Sequence, residues 1–340
     1  MLILGIFIFI FRLADELFFS SYKKITIKAP VYIIANPRSG TTFLHRLMCK
    51  DVDRFVHIRT YHTIIPSIAF CKCIDGLAAI DKYIGHLFQK VVTWADKKLF
   101  HGWEYVHPSG FNRSEEDEGL YFMAGISPAI SLVTPFLQHF RELYIPDHLN
   151  EHKRERIKAY YKATLQRWMY VLGADKQFLC KSVMSTGRLQ LLTELFPDIR
   201  IIYLVRNPDE AVPSFVKMFA STWKYIGPGI PENSPQSREL ATLAILYYQY
   251  FHEQKKNFKN ENWITLKFED LVADPITSVQ GVYHKFHFTL SSSFEEQLKK
   301  ASNISKDYKS NFHYSLEQYG LSKEALRGEL PFIFEEYGFK

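Results

Sequence analysis

Four cysteines in 340 residues, Cys49, Cys71, Cys73 and Cys180, are too few for a disulfide framework. Cys71-x-Cys73 has no second cysteine pair or histidine partner at zinc spacing, so no metal site is expected. Four reduced thiols fit a cytoplasmic protein. No apolar run approaches the roughly 20 residues that span a bilayer. The longest, Met1 to Phe11, is uncharged and is then interrupted by Arg12, Asp15 and Glu16. It lacks the basic start and small-residue cleavage site of a signal peptide. Two readings of this segment stay open, a helix packed on the body and an interfacial anchor at a membrane surface through residues 1–19. Basic residues form no dense block despite a net charge of +6, which argues against nucleic acid as a partner. Internal repeats and low-complexity stretches are absent as well.

What is present is an ordinary globular composition, 47% hydrophobic and 23% charged, with 28 Phe and 20 Tyr. Short apolar β-branched runs at Val31–Ala35, Gln177–Cys180, Ile199–Val205 and Trp263–Phe268 read as strands. Helical patterns lie between them, at Glu151–Leu172 (ended by Gly173), Arg188–Phe196 and Glu239–Phe251. Strands alternating with helices predict an α/β fold, a central parallel sheet flanked by helices, with ligands at the carboxyl ends of its strands. The turn-rich stretch Ile226 to Gln236 reads as a mobile surface loop, either a plain connection or a lid.

The first strand runs into Asn36-Pro-Arg-Ser-Gly-Thr-Thr42, a small-residue loop before a helix that begins near Thr42. Strand, loop and helix start together cradle a phosphate. Gly40 admits close approach of an anion, Ser39, Thr41 and Thr42 offer hydroxyls, and Arg38 offers a fixed charge. The loop has no G-x-x-x-x-G-K-[ST], which disfavours a nucleotide triphosphatase. A second junction follows Ile199–Val205: Arg206 sits at the strand end, Asn207-Pro208 open a helix, and Ser214 lies about two turns on. An Arg and a hydroxyl there suit a second phosphate.

The two junctions together resemble the sulfotransferases that use 3′-phosphoadenylyl sulfate as donor. NPRSGTTFL (36–44) is similar to the 5′-phosphosulfate loop of that family, and YLVRNPDEAVPSF (203–215) to its 3′-phosphate motif, with the Arg-to-Ser spacing kept. FLCKSV (178–183) resembles the strand-end Lys motif, and NWITLKFEDLVADP (262–275) the late strand with its following turn. Glu116-Asp-Glu118 and the tail H-Y-S-L-E-Q-Y-G-L (313–321) resemble elements of a mainly bacterial branch. The resemblance implies a P-loop-like three-layer domain over residues 30–340, preceded by the apolar segment 1–29. It implies in-line transfer of a sulfonate from 3′-phosphoadenylyl sulfate to a hydroxyl, or second an amine, on a small-molecule, carbohydrate or lipid acceptor, without a metal. Arg38, Ser39, Gly40, Thr41 and Thr42 are then expected at the 5′-phosphate and sulfonate, and Arg206 and Ser214 at the 3′-phosphate. His313 and Tyr314 are expected to close over the nucleotide.

Two departures from the family pattern stand out. Arg38 replaces the usual loop Lys, and Val183 stands where cytosolic members carry a His base. Lys181 is expected to stabilise the leaving group, and the base passes to the acidic cluster, Glu116 first and Glu118 second. His45 and His107 rank below them. Ser114 with Glu115, Glu116 and Asp117 also reads as a plain helix N-terminus, a purely structural use of the same carboxylates. Two rival functions remain at this level: a P-loop kinase or triphosphatase, and a non-catalytic nucleotide-binding protein at a membrane.

Overall fold

The computed structural model describes residues 2–36, 38–100, 110–226, 229–305 and 315–340. Five strands, β1 (Val31–Ala35), β2 (Phe55–Val56), β3 (Gln177–Lys181), β4 (Arg200–Val205) and β5 (Trp263–Lys267), form one sheet in the order β2-β3-β1-β4-β5. All four pairings are parallel. Side chains alternate across each strand, so one face of β1 and β4 carries Tyr32, Ile34, Ile201, Tyr203 and Val205. The other carries Val31, Ile33, Ala35, Ile202 and Leu204. Both faces are covered, as a fully parallel sheet requires.

The first face packs on helices α7 (Glu151–Leu172), α8 (Leu189–Leu195), α9 (Pro208–Ile226) and α10 (Pro235–Gln254). Opposite lie α2 (Thr41–Met48), α11 (Phe268–Ala273), α12 (Pro275–Lys285) and α13 (Ser292–Ser305). The remaining helices are α1 (Leu2–Phe18), α3 (Thr60–Ile64), α4 (Ile68–Asp81), α5 (Leu87–Phe100), α6 (Glu118–Met123), α14 (Lys323–Glu329) and α15 (Pro331–Tyr337). The result is the three-layer α/β arrangement expected from the alternating strands and helices.

Several local expectations shift. The strand β2 has two residues, too few to show a period. Arg188 does not belong to the following helix; it ends a 3-10 turn from Val183 and is buried. The helix α9 runs through Pro213, which forfeits one backbone hydrogen bond there. The turn-rich stretch after it is shorter than read, because Ser234 caps α10 by accepting from the Ser237 N–H at 3.2 Å.

The first helix is held at its C-terminal half by a buried polar cluster. Asp15 accepts hydrogen bonds from Ser67 Oγ (2.9 Å), the Ile68 and Ala69 N–H groups (3.1 and 2.8 Å) and Arg167 Nε (2.9 Å). It therefore caps α4 and neutralises a buried guanidinium at once. Toward its N-terminus α1 exposes Ile3, Ile6, Phe7, Phe9 and Ile10. Among the described residues no helix is long and apolar enough to cross a membrane.

Candidate active site

The sheet order places β1 between β3 and β4, so the loops that leave these three strands meet at their carboxyl ends. The first loop turns sharply. Arg38 and Gly40 both have left-handed backbones, φ +72° and +84°. At Gly40 a Cβ would lie 2.7 Å from Phe268 Cδ2, so neither the conformation nor the space admits a side chain. Gly40 is the N-cap of α2, and its carbonyl accepts from the Phe43 and Leu44 N–H groups at 3.0 and 3.2 Å. The first N–H groups of α2, at Thr41 and Thr42, have no carbonyl one turn back and open toward the loop. Ser39 and Thr41 are buried beneath it.

The second junction docks directly onto this loop. Arg206 donates from a terminal nitrogen to the Arg38 carbonyl at 2.9 Å, pairs with Glu210 at 2.7 Å, and lies 4.4 Å over the Phe268 ring. The Tyr248 hydroxyl donates to the Arg206 carbonyl at 2.8 Å. Arg38 Nε donates to Ser214 Oγ at 3.2 Å, across 176 residues of sequence. The structure thus brings Arg38, Gly40, Arg206 and Ser214 into one continuous wall rather than two separate clamps.

The third strand adds Lys181 at its last position, opposite Ile33 in register and only 1% exposed. Its ammonium donates to Thr42 Oγ1 and to Glu116 Oε1, both at 2.9 Å, and lies 4.0 Å from Glu115. Glu115 and Glu116 precede α6, whose N-cap is Asp117 without a side-chain cap bond. The reading of these carboxylates as helix-start charges is therefore corrected. They lie on an extended segment tied to the chain before α3 by the Arg59–Ser114 bridge.

Consecutive acidic side chains go three ways. Glu116 faces Lys181 and is partly exposed. Asp117 is fully buried, accepting from the hydroxyls of Tyr161 and Ser182, and burial pushes its carboxyl above the ordinary range. Glu118 turns away from Lys181 to the buried Arg188 and to Ser127. It is engaged in an internal ion pair, and the structure does not bring it to the loop. His45 is buried in α2, and burial together with nearby Lys181 holds its imidazole well below its ordinary pKa. His107, His313 and Tyr314 lie outside the described residues.

Sequence reasoning missed three contributors. Asp117 anchors the acidic segment to Ser182, the residue after Lys181, and only its place at the centre of E-D-E hinted at it. Phe268 floors both Gly40 and Arg206, and Tyr248 props the second junction from α10. Among the described residues no cluster of three or more His, Cys, Asp or Glu is placed to hold a metal.

Comparison with known proteins agrees with this fold. A model of the sulfotransferase family matches residues 30–292. The omega-hydroxy-beta-dihydromenaquinone-9 sulfotransferase Stf3 of Mycobacterium bovis is 23% identical over 319 residues, 91% of this chain and 75% of the relative. The same values hold for Stf3 of Mycobacterium tuberculosis. Sulfotransferase STF9 from Mycobacterium avium shares the fold with a TM-score of 0.74 at 18% identity, over 96% of this chain and 80% of that one. Sulfotransferase STF1 from Mycobacterium tuberculosis follows with a TM-score of 0.67 at 18% identity, over 94% and 80%.

Proposed function

The chain belongs to the sulfotransferase family, and from that premise we propose that it moves a sulfonate from 3′-phosphoadenylyl sulfate to a hydroxyl on an apolar acceptor. The observation that carries this reading is Lys181, bonded at once to Thr42 of the anion loop and to Glu116 of the acidic segment. One cation thereby joins the place where a leaving phosphate gains charge to the place where an acceptor loses a proton.

Each group has a task in this reading. The loop N–H groups with Arg38, Gly40, Thr41 and Thr42 receive the 5′-phosphate and sulfonate. Ser39, buried in the same loop, is assigned with them to the donor. Arg206 and Ser214 take the 3′-phosphate, and the resemblance of the tail assigns His313 and Tyr314 to the nucleotide. The bond from sulfur to the 5′-phosphate oxygen breaks while a bond from sulfur to the acceptor oxygen forms. Lys181 meets the charge that develops on the leaving oxygen. The acceptor proton passes to the Glu116 carboxylate. Glu118 serves the fold through Arg188 and takes no part in the transfer. No step calls for a metal, since side chains supply the positive charge.

An apolar acceptor is supported by the lipid-type substrate in the name of the Stf3 relative. Exposed apolar side chains on α1 support peripheral membrane association through residues 1–19. The body at 30–340 then carries the reaction, and 1–29 is its apolar appendage. Four free cysteines support a cytoplasmic setting. The test is incubation with sulfur-labelled donor and omega-hydroxy-beta-dihydromenaquinone-9, beside an amine analogue. Label on the hydroxyl compound is expected; label on the amine alone, or on neither, overturns the acceptor class.

A further inference from the structure

The chain leaves the site at Arg59 and returns at Ser114, where the two segments form an antiparallel bridge. The Thr60 N–H donates to the Arg113 carbonyl at 3.2 Å and the Glu115 N–H to the Ile58 carbonyl at 3.1 Å. Glu116 stands two residues beyond this closure. The excursion between carries α3, α4 and α5, so the hairpin of α4 and α5 is rooted beside the carboxylate assigned to the acceptor.

That hairpin exposes a continuous series of large apolar side chains. Leu77, Ile80, Ile84, Leu87, Val91 and Trp94 are each at least 43% exposed. Leu87, Val91 and Trp94 recur at i, i+4 and i+7, one face of α5. The first helix joins the surface. Asp15 caps the start of α4, and Phe11 meets Phe70 edge to face at 5.4 Å, so α1 and α4 share one rigid base.

The charges of the hairpin are sorted by sign. Asp81 is buried and caps α5, accepting from the Phe88 and Gln89 N–H groups at 2.7 and 3.0 Å. Asp96 accepts from the Phe111 N–H at 2.8 Å. Lys72, Lys82, Lys90, Lys97 and Lys98 are exposed, and Asp75 is the one exposed carboxylate among the described residues of α4 and α5. The Lys98 ammonium lies 5.1 Å over the ring of exposed Trp94, a cation held against the apolar series. Two copies packed through this face bring like charges together, whereas an anionic bilayer meets apolar and cationic groups with matching chemistry.

We propose that α1 and the α4–α5 hairpin form a docking surface for an anionic lipid bilayer, which holds the Glu116–Lys181 site at the acceptor's own phase. The inference rests on the apolar-acceptor reading for its use, and on the surface itself for binding.

The test is co-sedimentation of the full chain with vesicles of phosphatidylcholine, with and without about one third phosphatidylglycerol. Binding to the anionic vesicles is expected to exceed binding to the neutral ones about tenfold, and to fall about tenfold in half-molar salt. The triple variant Leu87→Asp, Val91→Asp, Trp94→Asp is expected to lose at least nine-tenths of vesicle binding. Lys82→Glu with Lys90→Glu is expected to erase the preference for anionic vesicles. Both variants replace exposed side chains, and retained binding of adenosine 3′,5′-bisphosphate reports their folding. No sedimentation of the wild-type chain with either vesicle overturns the proposal. So does wild-type binding by the triple variant, or a dimer that the same substitutions dissociate while vesicles stay unbound. Transfer of label to a short soluble alcohol separates the two ideas: transfer without vesicle binding defeats docking alone, and docking without transfer defeats the reaction assignment alone.

Discussion

Lys181 Nζ lies 2.9 Å from Glu116 Oε1, although 65 residues separate them in sequence. The same nitrogen reaches Thr42, 139 residues away. Strand end, first loop and acidic segment therefore meet at one ammonium.

The proposed reading assigns Arg206, bonded to the Arg38 carbonyl at 2.9 Å, to the 3′-phosphate. Arg206→Ala is expected to weaken adenosine 3′,5′-bisphosphate by roughly 10–100-fold, the value of a charge-assisted hydrogen bond. Adenosine 5′-phosphate should change little. Titration calorimetry with both nucleotides checks this, and equal losses contradict the 3′ assignment.

Gly40→Ala places a methyl 2.7 Å from Phe268 on a backbone at φ +84°. The backbone term alone costs about 1–2 kcal/mol, and the loop must shift to clear the ring. Donor affinity is expected to drop at least tenfold with a lowered Tm. An unchanged affinity removes the loop from the site.

Glu116 and Glu118 separate by thermal denaturation. Glu118→Gln leaves buried Arg188 without its counter-charge and is expected to cost about 3 kcal/mol. Glu116→Gln leaves the Glu115 carboxylate 4.0 Å from the buried Lys181 ammonium as a second counter-charge, and should lower Tm by less than Glu118→Gln. The reverse order contradicts the placement of these side chains.

Burial lowers the His62 pKa to about 4, while its Nδ1 accepts from the Arg59 N–H at 3.0 Å. Above pH 6.5 both folded and unfolded chains hold this imidazole neutral, and it adds no pH dependence. Below pH 6.5 the unfolded chain takes up a proton that the folded chain refuses, so stability falls until about pH 4. Glu16, held near pKa 2 by Lys23 and Tyr22, adds a loss in the same direction from about pH 4.5 downward. Urea unfolding from pH 7 to 4 is expected to show the decline, and His62→Gln should flatten its upper part. A His62→Gln variant with the wild-type slope contradicts the assignment.

The sequence made local elements readable and left their meetings open. Val31–Ala35 and Glu151–Leu172 appear with the bounds read from pattern, because burial and Asn150 and Gly173 at the helix ends act within a few residues. Phe55–Val56 was unreadable, since two residues carry no alternation. Arg38, Gly40, Thr42, Arg206 and Ser214 were legible as separate phosphate-type groups, and Lys181 through the resemblance carried by FLCKSV. That Arg38 touches Ser214, or that Arg188 claims Glu118, follows from packing between elements far apart in sequence. Ser114 misled as a cap because a strand bridge to Arg59 took the place of a helix turn.

The transfer mechanism stands or falls on the single-turnover rate of Glu116→Gln with sulfur-labelled donor and a hydroxyl acceptor. A fall of about 100-fold or more is predicted, with adenosine 3′,5′-bisphosphate bound as tightly as by the wild-type chain. A wild-type rate in this variant contradicts Glu116 as the proton acceptor and breaks the proposed link from Lys181 to the acceptor hydroxyl.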